Sequence, residues 1–278
     1  MYPMSIDTPR YGVVDRDYAM QLAAASPGED GPVWMVNLMK YRQMADYADG
    51  RETTISGRDA DDIYAPLKSL ATVGAEIVFV GDVDQQLLGD NTTWDRIAVV
   101  KYPTRRSFIA MQTLPEFQES HKHKDAGMDQ TIVMGCQPLT VPSTSDLRFT
   151  DWSNVPHPST DVDGPVAALH VLQFDNMESE TQTPTYMQSC QSVVARVALK
   201  HGLRISGWFY VEGTIVGDQR RWNQVRFNLF PSKAAFLAFD SDPDRLQAQK
   251  VHCTQTIGDI YTMIVRPTIN RLDESVQI

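Results

Sequence analysis

A silent internal repeat constrains this chain more than any other feature. Gly74, Gly89, Asp90, Trp94, Pro103, Phe108 and Pro115 recur 128 positions later as Gly202, Gly217, Asp218, Trp222, Pro231, Phe236 and Pro243, with no insertion or deletion across either stretch. These residue types bend, stop or anchor a backbone, so the repeat reports one fold used twice rather than one chemistry used twice. At 278 residues the chain is long enough for two domains, each with its own core.

Hydrophobic residues make up 42% of the sequence and charged residues 22%, a soluble globular composition. The formal net charge of -10, with no long run of Lys or Arg, argues against nucleic acid and an anionic membrane surface as partners, since both call for a basic face. The N-terminus lacks the apolar core of a signal peptide, and no run of about 18 apolar residues occurs. Cys136, Cys190 and Cys253 are odd in number, with neither a CxxC pair nor zinc-finger spacing, which fits reduced thiols better than a disulfide framework. A cytoplasmic protein is expected.

Hydrophobic patterning gives the same elements twice. In the first half, Val33 to Tyr41 is an apolar run of strand length, and a helix is predicted from Asp59 to Thr72, closed by Gly74. Ile77 to Val80 and Ile97 to Tyr102 read as strands. Thr104 then caps a helix, Pro115 opens a second helical piece through Lys124, and Thr131 to Cys136 is the last strand. The second half repeats this with a strand from Val166 to Phe174, a helix from Pro184 to His201, strands at Ile205 to Val211 and Val225 to Phe230, a helix capped by Ser232, and a strand from Tyr261 to Val265. The stretch from Pro138 to Pro165 has linker composition. The expected organisation is an N-terminal extension (1–30), a first domain (31–140), a linker (141–164) and a second domain (165–278).

The order βαββαβ is the split βαβ motif, so the expected class is α+β with two tandem ferredoxin-like units. One such sheet leaves an apolar face bare, and two copies can cover each other. The pattern resembles the dimeric alpha-beta barrel superfamily, and a tandem fusion of that kind implies an intrachain, pseudo-dimeric α/β barrel. Within the first half, WDRIAVVKYPTRRSFIAMQTLPEFQ (Trp94 to Gln118) resembles the domain of unknown function 1330. In the second, ALHVLQF (Ala168 to Phe174) resembles the first strand of stress-responsive alpha-beta barrel domains and a related polyketide cyclase, which implies that His170 points into a substrate cavity. The cyclase's second histidine would fall at Phe117 and Arg245, so neither half carries the full pair.

Candidate chemistry is scattered. His170 shares a strand face with Ala168, Leu172 and Phe174 and suits either a general acid/base or a core histidine bonded to one carbonyl. Asn37 occupies the matching place at an offset of 133, where its amide needs a partner from a ligand or a neighbour. Gln224, Arg226 and Asn228 alternate with Val225, Phe227 and Leu229. That polar face is either solvated or a cavity wall, in which case Arg226 and Asn228 would hold a carboxylate or enolate oxygen. Tyr64, Arg96, Tyr102 and Trp208 join Asn37 as candidate substrate-binding positions. In ESHKHKD, His121 and His123 fall on different faces of a helix but on one side of an extended chain, where they could share a metal. The stretch Tyr47 to Asp61, five residues longer than its counterpart, has the makings of a lid.

The expected function is a small-molecule enzyme using acid/base chemistry in an apolar cavity, with His170, Arg226 and Asn228 catalytic. It would act on an organic-acid or polyketide-like substrate as a cofactor-independent monooxygenase, isomerase, lyase or cyclase. One alternative is a non-catalytic ligand-binding or stress-associated barrel protein. Another is a haem- or metal-dependent barrel enzyme, with His170, His201 and His252 as formal ligands. No Walker loop, GxGxxG, GxSxG or HExxH motif occurs. A homodimer is compatible with these features.

Overall fold

A computed structural model describes residues 9–139, 145–175, 191–252 and 257–276. The chain forms two compact units, neither continuous in sequence. Unit 1 comprises Met1–Val78, Trp94–Cys136 and Glu212–Arg221; unit 2 comprises Phe79–Thr93, Gln137–Val211 and Trp222–Ile278. The sequence placed its boundaries in one uninterrupted run, whereas each unit takes in a hairpin arm from the other half of the chain.

Unit 1 contains β1 (Val13–Val14), α1 (Arg16–Ala24), β2 (Val33–Tyr41), α2 (Gly57–Tyr64), α3 (Leu67–Thr72), the start of β3 (Glu76–Leu88), β4 (Arg96–Tyr102), α4 (Arg105–Gln112), α5 (Pro115–Gly127) and most of β5 (Met128–Pro138). Central β2 pairs antiparallel with β4 and β5. Its Val33 and Met35 pack with Leu70, Met111 and Phe117 from the helices.

Unit 2 contains α6 (Ser145–Arg148), β6 (Val166–Phe174), α7 (Gln191–Lys200), most of β7 (Arg204–Gly217), β8 (Gln224–Phe230), α8 (Lys233–Asp240), α9 (Pro243–His252), β9 (Ile257–Asn270) and α10 (Leu272–Ser275). Central β6 pairs antiparallel with β8 and β9, β8 also pairs with β7, and β9 pairs with β3. Val166 and Ala168 of β6 pack with Val197, Phe236 and Phe239 of the helices. The class is therefore mixed α+β with antiparallel sheets. Among the described residues no helix is long and apolar enough to cross a membrane.

Part of the repeat does the same work in both units, though Gly89 has a positive φ and Gly217 does not. Gly74 and Gly202 have φ of +70° and +79°, a left-handed geometry that glycine adopts without a Cβ penalty. A Cβ on either would lie against the matching proline, Pro103 at 3.6 Å or Pro231 at 3.2 Å. Thr104 and Ser232, both extended, accept from the backbone N–H three residues on and so start α4 and α8. Pro115 and Pro243 open α5 and α9, where a missing N–H costs nothing.

Two expectations are corrected, and the N-terminal extension gains a described element. The single helix over Asp59 to Thr72 is two, α2 and α3, because Pro66 has no N–H to donate and disfavours helix before it. The strands expected at Ile77 to Val80, Ile205 to Val211 and Tyr261 to Val265 extend to 13, 14 and 14 residues. Their outer parts are polar, and the β3–β9 pairing shifts register three times, which breaks the alternation that marks a strand in sequence. The N-terminal extension is structured: α1 lays Tyr18, 4% exposed, over the bare backbones of Gly135 and Gly213. The helix from Pro184 is described only from Gln191, and Cys190 and Cys253 lie outside the described residues. Cys136 is buried and free.

A Cβ on Gly213 would sit 2.6 Å from the Tyr18 ring. Gly213→Ala is expected to cost about 1–3 kcal/mol by overpacking and to speed amide exchange across Arg16–Ala24. Gly28→Ala, where a Cβ meets nothing within 4 Å, should change neither; equal behaviour of the two variants in urea unfolding and hydrogen exchange would contradict the docking.

Candidate functional site

Antiparallel register assembles a polar row in unit 2. His170 on β6 stands opposite Arg226 on β8 and Thr262 on β9, and Arg226 stands opposite Trp208 on β7. Paired residues share a face, so Thr262, His170, Arg226 and Trp208 form one line across four strands. They lie on the side that carries Ala168, Phe230 and Ile264, where α7 and α8 pack. Arg226 and Asn228 are each 7% exposed and Gln224 is sealed, so this face of β8 is buried rather than solvated.

Each polar group in the row is held. His170 Nδ1 and Thr262 Oγ1 are hydrogen-bonded at 3.1 Å. Arg226 Nε and Nη2 donate to Gln224 Oε1 at 3.1 and 2.6 Å, and the guanidinium lies 4.4 Å from the Trp208 ring centroid. Trp208 Nε1 donates to Asn228 Oδ1 at 2.8 Å. The expected catalytic set His170, Arg226 and Asn228 is thus brought together with Trp208. Burial, reinforced by the charges of Arg226 and Arg245, pushes the His170 pKa down to about 3, so the imidazole is neutral at physiological pH. Arg245 of α9, the place where the cyclase resemblance puts its second histidine, stacks on Phe239 and pairs with Asp240 at 2.8 Å.

The other expected positions lie in unit 1. The row matching His170 is Val133, Asn37 and Ala98, apolar on both sides of the amide. Asn37 Nδ2 donates to Met35 O at 3.0 Å and Ala98 O at 3.5 Å, so strand backbone takes its protons. Tyr102 is buried, its hydroxyl directed to Met111 Sδ at 3.5 Å. Arg96 reaches Asp62 at 2.8 Å and Asp61 at 3.5 Å. Tyr64 packs edge-on against Phe117 and His121.

His121 and His123 are on helix α5, and each turns to a different tyrosine: His121 Nε2 to Tyr11 Oη at 2.8 Å, His123 Nδ1 to Tyr47 Oη at 2.6 Å. The alternative of a metal shared on an extended chain does not arise, because the segment is helical and helical spacing separates the rings. Among the described residues no group of His, Cys, Asp and Glu is placed to hold a metal ion. The stretch expected as a lid is tied to α5 by Tyr47 and by Asp46 N donating to Ala126 O at 2.9 Å.

Sequence reasoning missed Thr262 and the buried Lys124, Tyr11 and Asp61, because partners from other elements, 20 to more than 100 residues away, bury or engage them. A groove of about 630 Å³ in unit 2 is lined by Arg148, Phe149, Trp152, Arg204, Asp273 and Glu274 among others, and no member of the His170 row lines it. The row, with its convergent polar groups and perturbed imidazole, is the better candidate site.

No known family model matches the chain, and no curated protein matches it. Among solved structures, an RPA0582 protein of unknown function from Rhodopseudomonas palustris aligns at 26% identity over 47% of this chain and 98% of its own, with a TM-score of 0.42. A provisionally named monooxygenase from Fusobacterium nucleatum aligns at 11% identity over 86% and 93%, with a TM-score of 0.45. A chlorite dismutase variant from Candidatus Nitrospira defluvii aligns at 10% identity over 93% and 100%, with a TM-score of 0.49. Of the formal haem ligands, His170 Nδ1 bonds Thr262 and His201 Nε2 pairs with Asp242 at 3.2 Å, while the side chain of His252 lies outside the described residues.

Burial likewise lowers His121 to about 4. A lowered histidine pKa means the unfolded chain binds more protons between the folded value and the ordinary 6.5, so stability is full above 6.5 and falls as pH drops. Each histidine should remove about 1–2 kcal/mol between pH 7 and pH 5. In urea unfolding, His170→Asn should flatten this slope by one histidine's share; identical slopes in variant and parent would refute the buried neutral imidazole.

Proposed function

We propose that unit 2 binds a small organic acid and moves a proton on it, with His170 as the acid/base and Arg226 and Asn228 as holders of the substrate's negative oxygens. The observation that carries this reading is the cross-strand row, which sets a neutral imidazole beside a guanidinium on one buried face. A carboxylate bound at Arg226 would offset the positive charge that suppresses His170 protonation. The substrate would thereby raise the basicity of its own base, while Arg226 stabilised the enolate formed on loss of an α-proton. Thr262 fixes the ring through Nδ1 and leaves Nε2 for the reaction. Those cofactor-independent isomerase, lyase, cyclase and monooxygenase reactions that pass through an enolate share that first deprotonation.

The finer reading of the fold is a fused pair of dimeric alpha-beta barrel units, the first of the domain-of-unknown-function-1330 kind and the second of the stress-responsive kind. Its support is burial on both strand faces: Trp34, Val36 and Leu38 of β2 and Ala167, Leu169 and Val171 of β6, opposite the helices, are at most 1% exposed.

The test is α-proton exchange in D2O, followed by NMR, over a panel of 2-oxo and β-keto acids. The parent protein should exchange at least one of them above buffer. His170→Asn should slow exchange at least 100-fold with KM little changed, as expected for loss of a general base. Arg226→Gln should mainly raise KM. Absence of exchange across the panel, or full activity in His170→Asn, would refute the proposal.

A further inference from the structure

Unit 1 holds a buried cation that no group among the described residues neutralises directly. Lys124 on α5 is 8% exposed, yet its ammonium makes no hydrogen bond and no ion pair among the described residues. The ring centroids of Tyr64 and Tyr11 lie 5.4 and 5.8 Å from Nζ. Asp61, the carboxylate whose charge acts on Lys124, already accepts from Tyr41 at 2.7 Å and faces Arg96 at 3.5 Å. The Tyr64 hydroxyl also lacks a hydrogen-bond partner among the described residues.

Aromatic faces attract an ammonium but offer no acceptor for its three N–H groups, and an ammonium out of water needs acceptors. Neither Lys124 Nζ nor Tyr64 Oη is among the sealed polar atoms, so both border space that water reaches. Two open donors, one charged, belong to side chains in contact with each other, Nζ lying 5.4 Å from the Tyr64 ring, beside the rings of Tyr11, Phe117 and His121, the last neutral and bonded to Tyr11. A carboxylate supplies the missing charge and acceptors together, and a flat body suits the ring faces.

We infer that unit 1 carries a second binding site, unlike the row in unit 2, for a small carboxylate with a planar unsaturated body, held by Lys124 and Tyr64. The matched row of unit 1 is apolar around Asn37, so the two units present different chemistry from one fold.

Amine labelling by acetic anhydride, mapped by mass spectrometry, tests this on the intact protein without a variant. Benzoate should slow modification of Lys124 at least tenfold and leave Lys122, whose side chain is 59% exposed, unchanged. Benzamide and inorganic phosphate should protect neither. Arg226→Gln should retain benzoate protection of Lys124, which separates this site from the one in unit 2, and Tyr64→Phe should weaken it. Lys124→Met should raise the Tm of the ligand-free protein, since a buried uncompensated charge is removed; a purely structural lysine would lower it. Lys124 labelling that benzoate leaves unchanged, or equal protection by benzamide or phosphate, overturns the inference.

Discussion

The antiparallel register of β6 against β8 and β9 is the constraint on which the candidate chemistry depends. It sets His170 opposite Arg226 on one side and Thr262 on the other, all on the face packed by helices. A slip of one residue in either ladder would turn the partner side chains to the opposite face. The imidazole would then lose both its hydrogen bond and its cationic neighbour. Placing a guanidinium and an imidazole side by side in a buried layer is costly unless the charge is held, and for Arg226 the Gln224 oxygen accepts its hydrogen bonds while the Trp208 ring meets its face.

The two units show how one backbone pattern supports unlike surfaces. The glycine and proline punctuation, the Thr104 and Ser232 caps and the central strand with its two partners are the same in both. Where unit 2 puts Thr262, His170 and Arg226 on its sheet, unit 1 puts Val133, Asn37 and Ala98. The polar groups of unit 1 come instead from α2 and α5, as Asp61, Tyr64, His121 and Lys124.

Much of the fold was legible because its signals are local. Val33 to Tyr41 and Val166 to Phe174 are strands over those residues, since a central strand buried on both faces reads as a continuous apolar run. Gly74, Gly202, Thr104 and Ser232 mark helix ends through their own backbone chemistry. The long outer strands were not legible: their ends are polar, and bulges interrupt the period-two pattern. Of the site, Arg226 and Asn228 could be named from alternation, and His170 and the place of Arg245 from the resemblance of the second half. Thr262 could not, because nothing local separates it from an ordinary strand residue. Lys124 looked like one more charge at a solvated helix end until Tyr11, more than 100 residues earlier, and Tyr64 were seen against it.

What the sequence by itself determined is the duplicated α+β pattern, because turns, caps and apolar runs are set by residues near one another in the chain. What only the tertiary structure decided is which polar side chains meet, which hairpin arm joins which compact unit, and which charges are buried. Those outcomes depend on strand register and on packing between residues far apart in sequence. His170 therefore became more than a histidine in an apolar strand only when the ladder supplied Arg226 and Thr262, and Lys124 stood out from its neighbours only when packing set it between Tyr11 and Tyr64.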